Sequence, residues 1–323
     1  MKEIIKIKTM EPNNRLRIEY MVGNYCNFKC TYCGPYANGG DTRWPKDYNA
    51  LMKNFKHLLD FYTRNGRNKF EVNLLGGEPT LWPKVADFAR DLKALYNVKV
   101  TITTNGSRTI RWWEKNATAF DKVLFSYHPG QANLTHYINV IDNVYNQRVA
   151  VNTLVMMDPT QWDACLDAIE LMKQSKYPWF ICAAEIHPPK YTLDQRKIFK
   201  KHVKRNPPLH RLIKDEYENI LKGKPQIIFD DGTKKRVERN YLSTNDLNRF
   251  EGWMCNIGLE NINIQKSGQI TGVCGNLVYG EDKLYNLYDT DFVTKFNPKL
   301  IPSVCTKKHC WCQPEQLMTK WKL

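Results

Sequence analysis

The chain has 323 residues, 42% of them hydrophobic and 25% charged, an ordinary globular composition with room for one large domain or two. A formal net charge of +15 raises the prospect of a polyanionic partner. No apolar run approaches the ~18–20 residues of a membrane span and the first eight residues lack a signal-peptide core, so a cytoplasmic protein with no membrane partner is expected.

In chain order, Met1 to Lys8 alternates charged and apolar residues and reads as a strand. Arg15 to Val22 alternates in the same way and runs into Cys26-Asn27-Phe28-Lys29-Cys30-Thr31-Tyr32-Cys33. Three thiols at this spacing, with no histidine beside them, fall short of the four ligands of a structural zinc site. Soft thiolates select zinc, Cu(I) or iron–sulfur clusters, and three ligands leave a position open. Residues 48–65 carry Leu51, Phe55, Leu58, Leu59 and Tyr62 at helical spacing, with Gly66 as the stop. Phe70–Leu75 is the next strand and ends at Gly76-Gly77-Glu78-Pro79. A helix from near Pro83 to about Tyr96 follows, then a strand over Val98–Thr103 leading to Thr104-Asn105-Gly106-Ser107.

The alternation continues with a helix over 108–117, a strand Val123–Ser126 ending in Tyr127-His128-Pro129-Gly130, and a helix over 133–147. A strand over 149–155, a helix over 160–175 and a strand over 179–184, next to Glu185, complete it. Six β–α alternations predict an α/β fold, a parallel sheet with outer helices. The cysteine loop, Gly76–Pro79, Thr104–Gly106 and Ser126–His128 all fall at carboxyl ends of strands, where such folds place their sites.

Beyond Glu185 the pattern changes. Lys190 to Lys214 holds nine Lys or Arg and one acid, Asp194, and Thr192-Leu193-Asp194-Gln195 signals a helix start. Such a basic segment suits phosphate neutralisation or a solvated face. A hairpin-like stretch, Ile227 to Gly232, follows. Leu259–Ile264 and Gln269–Cys274 form a hairpin about Lys266-Ser267-Gly268, with Cys255 before it and Cys305-x4-Cys310-x-Cys312 after it. Five cysteines without a secretory context read as a second metal site, with a structural zinc ribbon as the plain alternative. Of the ten cysteines, only Cys165 and Cys182 stand outside the two groups. The divisions expected are 1–186, a basic connecting segment 187–249, and 250–323.

The cysteine triad, the aromatic Tyr32 before its third member and Gly76-Gly77-Glu78-Pro79 together resemble the radical S-adenosylmethionine (SAM) superfamily. The resemblance implies an open partial (β/α)6 barrel and a 4Fe–4S cluster on Cys26, Cys30 and Cys33 whose fourth iron is chelated by SAM. It implies an external electron donor of flavodoxin or ferredoxin type, and reductive cleavage of SAM to a 5′-deoxyadenosyl radical that abstracts hydrogen from substrate. Carried over by motif, Gly76, Gly77 and Glu78 serve the methionyl amino group, Tyr32 the adenine, and Thr104, Asn105, Ser126 and Asn152 the ribose and carboxylate. His128 and Glu185 are candidates for proton handling or substrate contact at the mouth. The C-terminal cysteines, Cys255, Cys274, Cys305, Cys310 and Cys312, resemble a Twitch or SPASM-type extension holding one auxiliary 4Fe–4S cluster, with one of the last three spare. For substrate, charge points to a nucleic-acid base or nucleotide, as in phage-type DNA or tRNA modification. A maturase of a ribosomally made peptide is the alternative, and the 25 residues before Cys26 are short for the recognition domain many of those carry. A zinc-binding nucleic-acid-binding protein without catalysis is the third reading.

Overall fold

The computed structural model describes residues 2–9, 14–183, 191–195, 197, 225–237, 241–272, 278, 284–310 and 318–323. Two sheets organise them. The larger has nine strands in the order β13-β12-β11-β2-β3-β4-β5-β6-β7. Its parallel centre is β2 (Arg15–Met21), β3 (Lys69–Leu75), β4 (Val98–Thr104), β5 (Lys122–Tyr127), β6 (Ala150–Met157) and β7 (Trp179–Ala183). The connecting helices are α2 (Tyr48–Arg64), α3 (Val85–Leu95), α4 (Ile110–Asn116), α5 (Leu134–Asn146) and α6 (Trp162–Lys173), after a short α1 (Pro35–Asn38). These elements match the predicted alternation to within a few residues. Among the described residues the sheet does not close into a barrel; β13 and β7 are its edges.

Period-two alternation decides what each face does. Tyr20 packs on Phe55 of α2 and Phe88 of α3, and Phe125 packs on Trp113 of α4 and Tyr137 of α5. That face, with Ile18, Val72, Leu74, Val100, Ile102 and Val123, is the main core. The opposite face is polar. Arg17 pairs with Glu71, Asn73 donates to Glu19 (2.7 Å), and Asn152, with its amide turned to satisfy both groups, accepts from Lys122 (2.7 Å).

The hairpin about Ser267-Gly268 forms as predicted, from β11 (Asn261–Ile264) and β12 (Gln269–Thr271), with Gly268 at φ +86°. Its destination was not legible in the sequence: β11 lies parallel beside β2, pairing Asn261 with Arg17 and Asn263 with Glu19, and β13 (Tyr285–Asn286) extends the sheet from β12. The smaller sheet runs β14-β10-β15-β1-β8-β9. Here β1 (Ile4–Lys8) sits between β15 (Lys320–Trp321) and β8 (Gln226–Phe229), while β9 (Lys234–Arg236), β10 (Met254–Cys255) and β14 (Ser303–Val304) complete it. Ile7, Ile227, Val237, Leu242 and Phe250 form its core. Each sheet therefore draws strands from distant parts of the chain. Near the basic segment, the predicted capping pair is present: Gln195 N–H donates to Thr192 Oγ1 (3.2 Å) and Thr192 N–H to Gln195 Oε1 (3.0 Å). Most of Lys190–Lys214, with Glu185, Cys274 and Cys312, lies outside the described residues.

Candidate active site at the cysteine loop

The loop after β2 is held from three sides. Pairing of β2 with β3 continues past the strand ends: Val22 N–H donates to Leu75 O (3.0 Å), Gly77 N–H to Gly23 O (3.0 Å) and Glu78 N–H to Tyr25 O (2.9 Å). Only glycine allows this approach. Gly76 has φ +139° and a Cβ there would strike the Gly23 carbonyl; one on Gly77 would strike Tyr25 O. The motif glycines thus serve the cysteine loop's own packing, a role the motif reading alone did not anticipate. Gly77→Ala is expected to cost about 1–3 kcal/mol by overpacking, read as a lower urea midpoint at unchanged slope. Asn24, fully buried, closes the return of the loop by accepting from Thr42 N–H (2.9 Å) and donating to Pro35 O (3.2 Å) and Asp41.

Glu78 is turned inward and is 3% exposed. Its Oε1 accepts from Thr80 N–H (3.0 Å), Thr80 Oγ1 (2.5 Å) and Thr104 Oγ1 (2.8 Å), and its Oε2 from Asn105 N–H (2.7 Å). The carboxylate ties the end of β3 to the end of β4. Burial raises its pKa, against the lowering effect of the four hydrogen bonds.

Cys26, Cys30 and Cys33 are half-buried on this loop. Cys33 N–H donates to Cys30 O (3.1 Å) and Phe28 N–H to Cys26 Sγ (3.4 Å). Asn105 Nδ2 reaches Cys26 Sγ (3.8 Å) and Asn27 Oδ1 (3.1 Å), and Ser107 Oγ also donates to Asn27 Oδ1 (3.3 Å). From β5, His128 brings Nδ1 to Tyr32 OH (2.7 Å) and Cys30 Sγ (3.5 Å), with its ring stacked on Tyr32. Gln131 accepts from Lys29 N–H (3.0 Å). Burial pushes the His128 pKa down to about 4, so the imidazole is neutral at physiological pH. The thiols move the other way. Burial is the largest cause, with further contributions from Glu78, Cys30 and Cys33, and Cys26 rises to about 11. Cys30 and Cys33 are raised as well, again chiefly by burial.

The sequence-predicted residues Cys26, Cys30, Cys33, Tyr32, Gly76, Gly77, Glu78, Thr104, Asn105 and His128 therefore meet at the carboxyl ends of β2 to β5. Ser126 is buried at the end of β5, level with Leu154. Asn152 is level with Leu124 on the polar face and bonds Lys122, in the body of the sheet rather than at the loop. Asn27, Ser107, Thr80 and Gln131 are participants that spacing did not single out; no local pattern distinguishes them from ordinary loop polar residues.

The donor set fits an iron–sulfur cluster: three soft sulfurs, half exposed, with Phe28 N–H, Asn105 Nδ2 and His128 Nδ1 beside two of them, the kind of hydrogen bonding that tunes such centres. Among the described residues no three Cys, His, Asp or Glu side chains gather as the ligands of one metal ion do. A cluster spreads its sulfurs over different irons.

In the smaller sheet, Cys255 is buried on β10, Cys305 follows β14, and Cys310 is buried. Cys305 N–H donates to Trp253 O (2.8 Å), and Cys310 N–H to Asn248 O (2.8 Å). Cys255 lies on β10, Cys305 just beyond its neighbour β14, and Cys310 Sγ beside Lys320 of β15 (3.7 Å). No helix among the described residues is long and apolar enough to cross a membrane.

Comparison with known proteins agrees with this geometry. The GTP 3',8-cyclase of Haemophilus influenzae (strain PittGG) is 28% identical over 151 residues, 42% of this chain and 43% of that protein. That of Vibrio parahaemolyticus is 29% identical over 155 residues, 42% and 45% of the two chains, and that of Staphylococcus epidermidis (strain ATCC 12228) is 32% identical over 109 residues, 33% and 31%. The matched stretch spans less than half of each relative. The solved structure of histidine-tagged anSMEcpe with bound AdoMet superposes with a TM-score of 0.53 at 15% identity, covering 88% of this chain and 78% of that one, a likeness of fold. The family model for the radical SAM superfamily matches residues 20–183, from within β2 to the end of β7. With half of the chain matched and the cysteine loop, Gly76–Glu78 and the parallel sheet in register with one another, the chain belongs to the radical SAM superfamily, whose cofactors are SAM and a 4Fe–4S cluster.

Proposed function

We propose that the protein is a radical SAM enzyme acting on a nucleotide or a nucleic-acid base, with Cys26, Cys30 and Cys33 as ligands of the first cluster and the nine-stranded sheet as an open partial (β/α)6 barrel. The observation that carries the reading is the convergence of three half-exposed thiols with Gly77, Glu78, Asn105 and His128 at one end of the sheet. When bound, the cluster and SAM supply a one-electron cleavage of the sulfonium S–C5′ bond and hence a hydrogen-abstracting radical. The protein's part is to bind and orient. Gly76 and Gly77 bring backbone close to the cysteine loop, Glu78 holds the β3 and β4 ends at fixed spacing, and Tyr32, fixed by His128, offers a ring to the adenine. Thr104, Asn105 and Ser126 line the approach to the ribose and carboxylate. An external electron donor is part of this reading.

Two points support a nucleotide-type substrate: the formal charge of +15 and the relatives named for a cyclase acting on GTP. The segment 250–323 is read as a Twitch- or SPASM-like extension in which four of Cys255, Cys274, Cys305, Cys310 and Cys312, one of the last three being spare, hold a second cluster. Anaerobically purified protein should be brown, absorb broadly near ~400 nm and carry roughly eight irons. Dithionite with SAM should release 5′-deoxyadenosine. Colourless, zinc-loaded protein would sink the reading. Affinity for DNA or RNA that falls steeply with salt would identify a polymer substrate, since each phosphate contact releases counterions; binding confined to mononucleotides would identify the free nucleotide.

A further inference from the structure

The C-terminal hairpin reaches the cysteine loop through a lysine. Register decides where its turn falls. Strand β11 lies parallel beside β2 with Ile264 level with Tyr20, so the turn at Lys266-Ser267-Gly268 stands beside the point where the chain leaves β2 for the cysteine loop. There Lys266 Nζ donates to both carboxylate oxygens of Asp41 (2.8 and 3.0 Å) and lies 5.7 Å from the centre of the Tyr36 ring, within cation–π range. The lysine side chain is 18% exposed against 68% for the aspartate, so the lysine is the packed member of the pair. Asp41 in turn accepts from Nδ2 of Asn24, which is fully buried. Asn24 joins the two arms of the loop. Besides its side-chain bonds to Thr42 N–H and Pro35 O, its own N–H donates to Thr42 O (2.7 Å) and its carbonyl accepts from Gly40 N–H (3.1 Å).

Asn24 stands two residues before Cys26, and Tyr36 three residues after Cys33. The contacts of Lys266 therefore fall on the arm that follows the triad and, through Asp41 and Asn24, on the arm that precedes it. Three thiols that serve one cluster must be held at fixed mutual spacing by groups that are themselves held. We infer that Lys266 is a positioning residue for the first cluster site: it clamps the outgoing and returning arms of the cysteine loop. A hairpin outside residues 20–183, which the radical SAM family model matches, thus orders a loop inside them. The inference rests on the reading of Cys26, Cys30 and Cys33 as the first cluster's ligands. Magnitude decides where the effect appears. An ion pair with one largely exposed partner adds little to global stability. The arm it holds has little other support, since α1 spans four residues and buries none of them, so local opening is what the clamp opposes.

The test compares wild type, as the full chain, with Lys266→Met, which keeps the stem and removes the ammonium, and with Lys266→Arg, which keeps the charge. Asp41→Asn opens the same contact from the other side and serves should Lys266→Met not fold. In Lys266→Met and Asp41→Asn, hydrogen exchange at the amides of Asn24, Gly40 and Thr42 should speed up by about 2–5-fold, the range such an ion pair supports, with no change at Leu74 in the middle of the large sheet. High salt should shrink the difference. In anaerobically reconstituted protein with dithionite and SAM, these two variants should lose turnover to 5′-deoxyadenosine several-fold and broaden the electron paramagnetic resonance signal of the first cluster, and Lys266→Arg should restore both. Wild-type loop exchange in Lys266→Met and Asp41→Asn overturns the clamp. Faster loop exchange with wild-type turnover and spectrum overturns the positioning role, as does exchange raised equally at Leu74, the mark of a residue that only supports the fold. Wild-type protein that binds no cluster and releases no 5′-deoxyadenosine overturns the reading of the triad instead. The exchange comparison needs no cluster, so the two failures are distinguishable.

Discussion

Cys30→Ala will lower the iron content by roughly four per chain and bring 5′-deoxyadenosine release to background, with the signal of the proposed second centre unchanged. Cys30 is the triad member reached from β5, through His128 Nδ1 at 3.5 Å, so alanine removes a sulfur without disturbing the Tyr32–His128 bond that fixes the loop on that side. The fold should therefore survive, and the loss should be chemical. A protonation effect accompanies it. Burial raises the pKa of all three thiols, with neighbouring thiols adding to the rise at Cys26 and Cys33, and Cys26 reaches about 11. Ligation releases those protons, so reconstitution of the wild-type site should improve as pH rises over the neutral to mildly alkaline range. Iron assay, electron paramagnetic resonance and chromatography of the nucleoside product read both. A Cys30→Ala protein that still carries the first centre and still cleaves SAM would remove the triad from the mechanism.

The second large effect concerns stability. Glu78→Ala leaves the buried N–H groups of Thr80 and Asn105 without their acceptor and is expected to destabilise the protein by about 2–6 kcal/mol, at about 1–3 kcal/mol per orphaned donor. Glu78→Gln is expected to be milder, about 1–3 kcal/mol, because one amide oxygen still accepts while the NH2 group confronts a donor. The wild-type carboxyl also gives a pH signature. Its folded pKa lies above the usual 4.5 because of burial, so the folded state holds the proton more tightly than the unfolded chain does. That contribution is fully present below 4.5 and is lost as pH rises through the folded pKa. Denaturant melts across that window should show a decline for wild type that is absent in Glu78→Gln. A Glu78→Ala protein with the wild-type midpoint would mean that the tie between β3 and β4 contributes nothing.

Local patterns reached far. The strand Phe70–Leu75, the helix over 48–65 and the turn at Lys266–Gly268 were legible because period, propensity and turn chemistry are written in adjacent residues. So was the site's main cast, because thiols at close spacing and a Gly-Gly-Glu run have few other uses. Long-range pairing was not legible. Nothing in Asn261–Ile264 announces that it lies beside β2, since alternation specifies which face a residue occupies and not which strand is its neighbour. Glu78 could be placed at the mouth by its motif, but its inward turn depends on Thr80, Thr104 and Asn105 meeting it from two loops. The placement of Asn152 was illegible for a related reason. Its position along β6 follows from register with β5, which is set by sheet pairing rather than by anything near residue 152.

The placement of β1 between β15 and β8 has a bearing on how the molecule is made. During synthesis the parallel strands β2 to β7 can pair in the order in which they emerge, each joining the one before it. Residues 4–8 have no such option: their partners are at 226–229 and 320–321, and closing so long a loop is slow. Until then the apolar side of β1 is an unpaired edge with aggregation potential. Cys255 and the segment beside it depend on the same late pairing, so the second cluster site proposed above would be assembled only after the first.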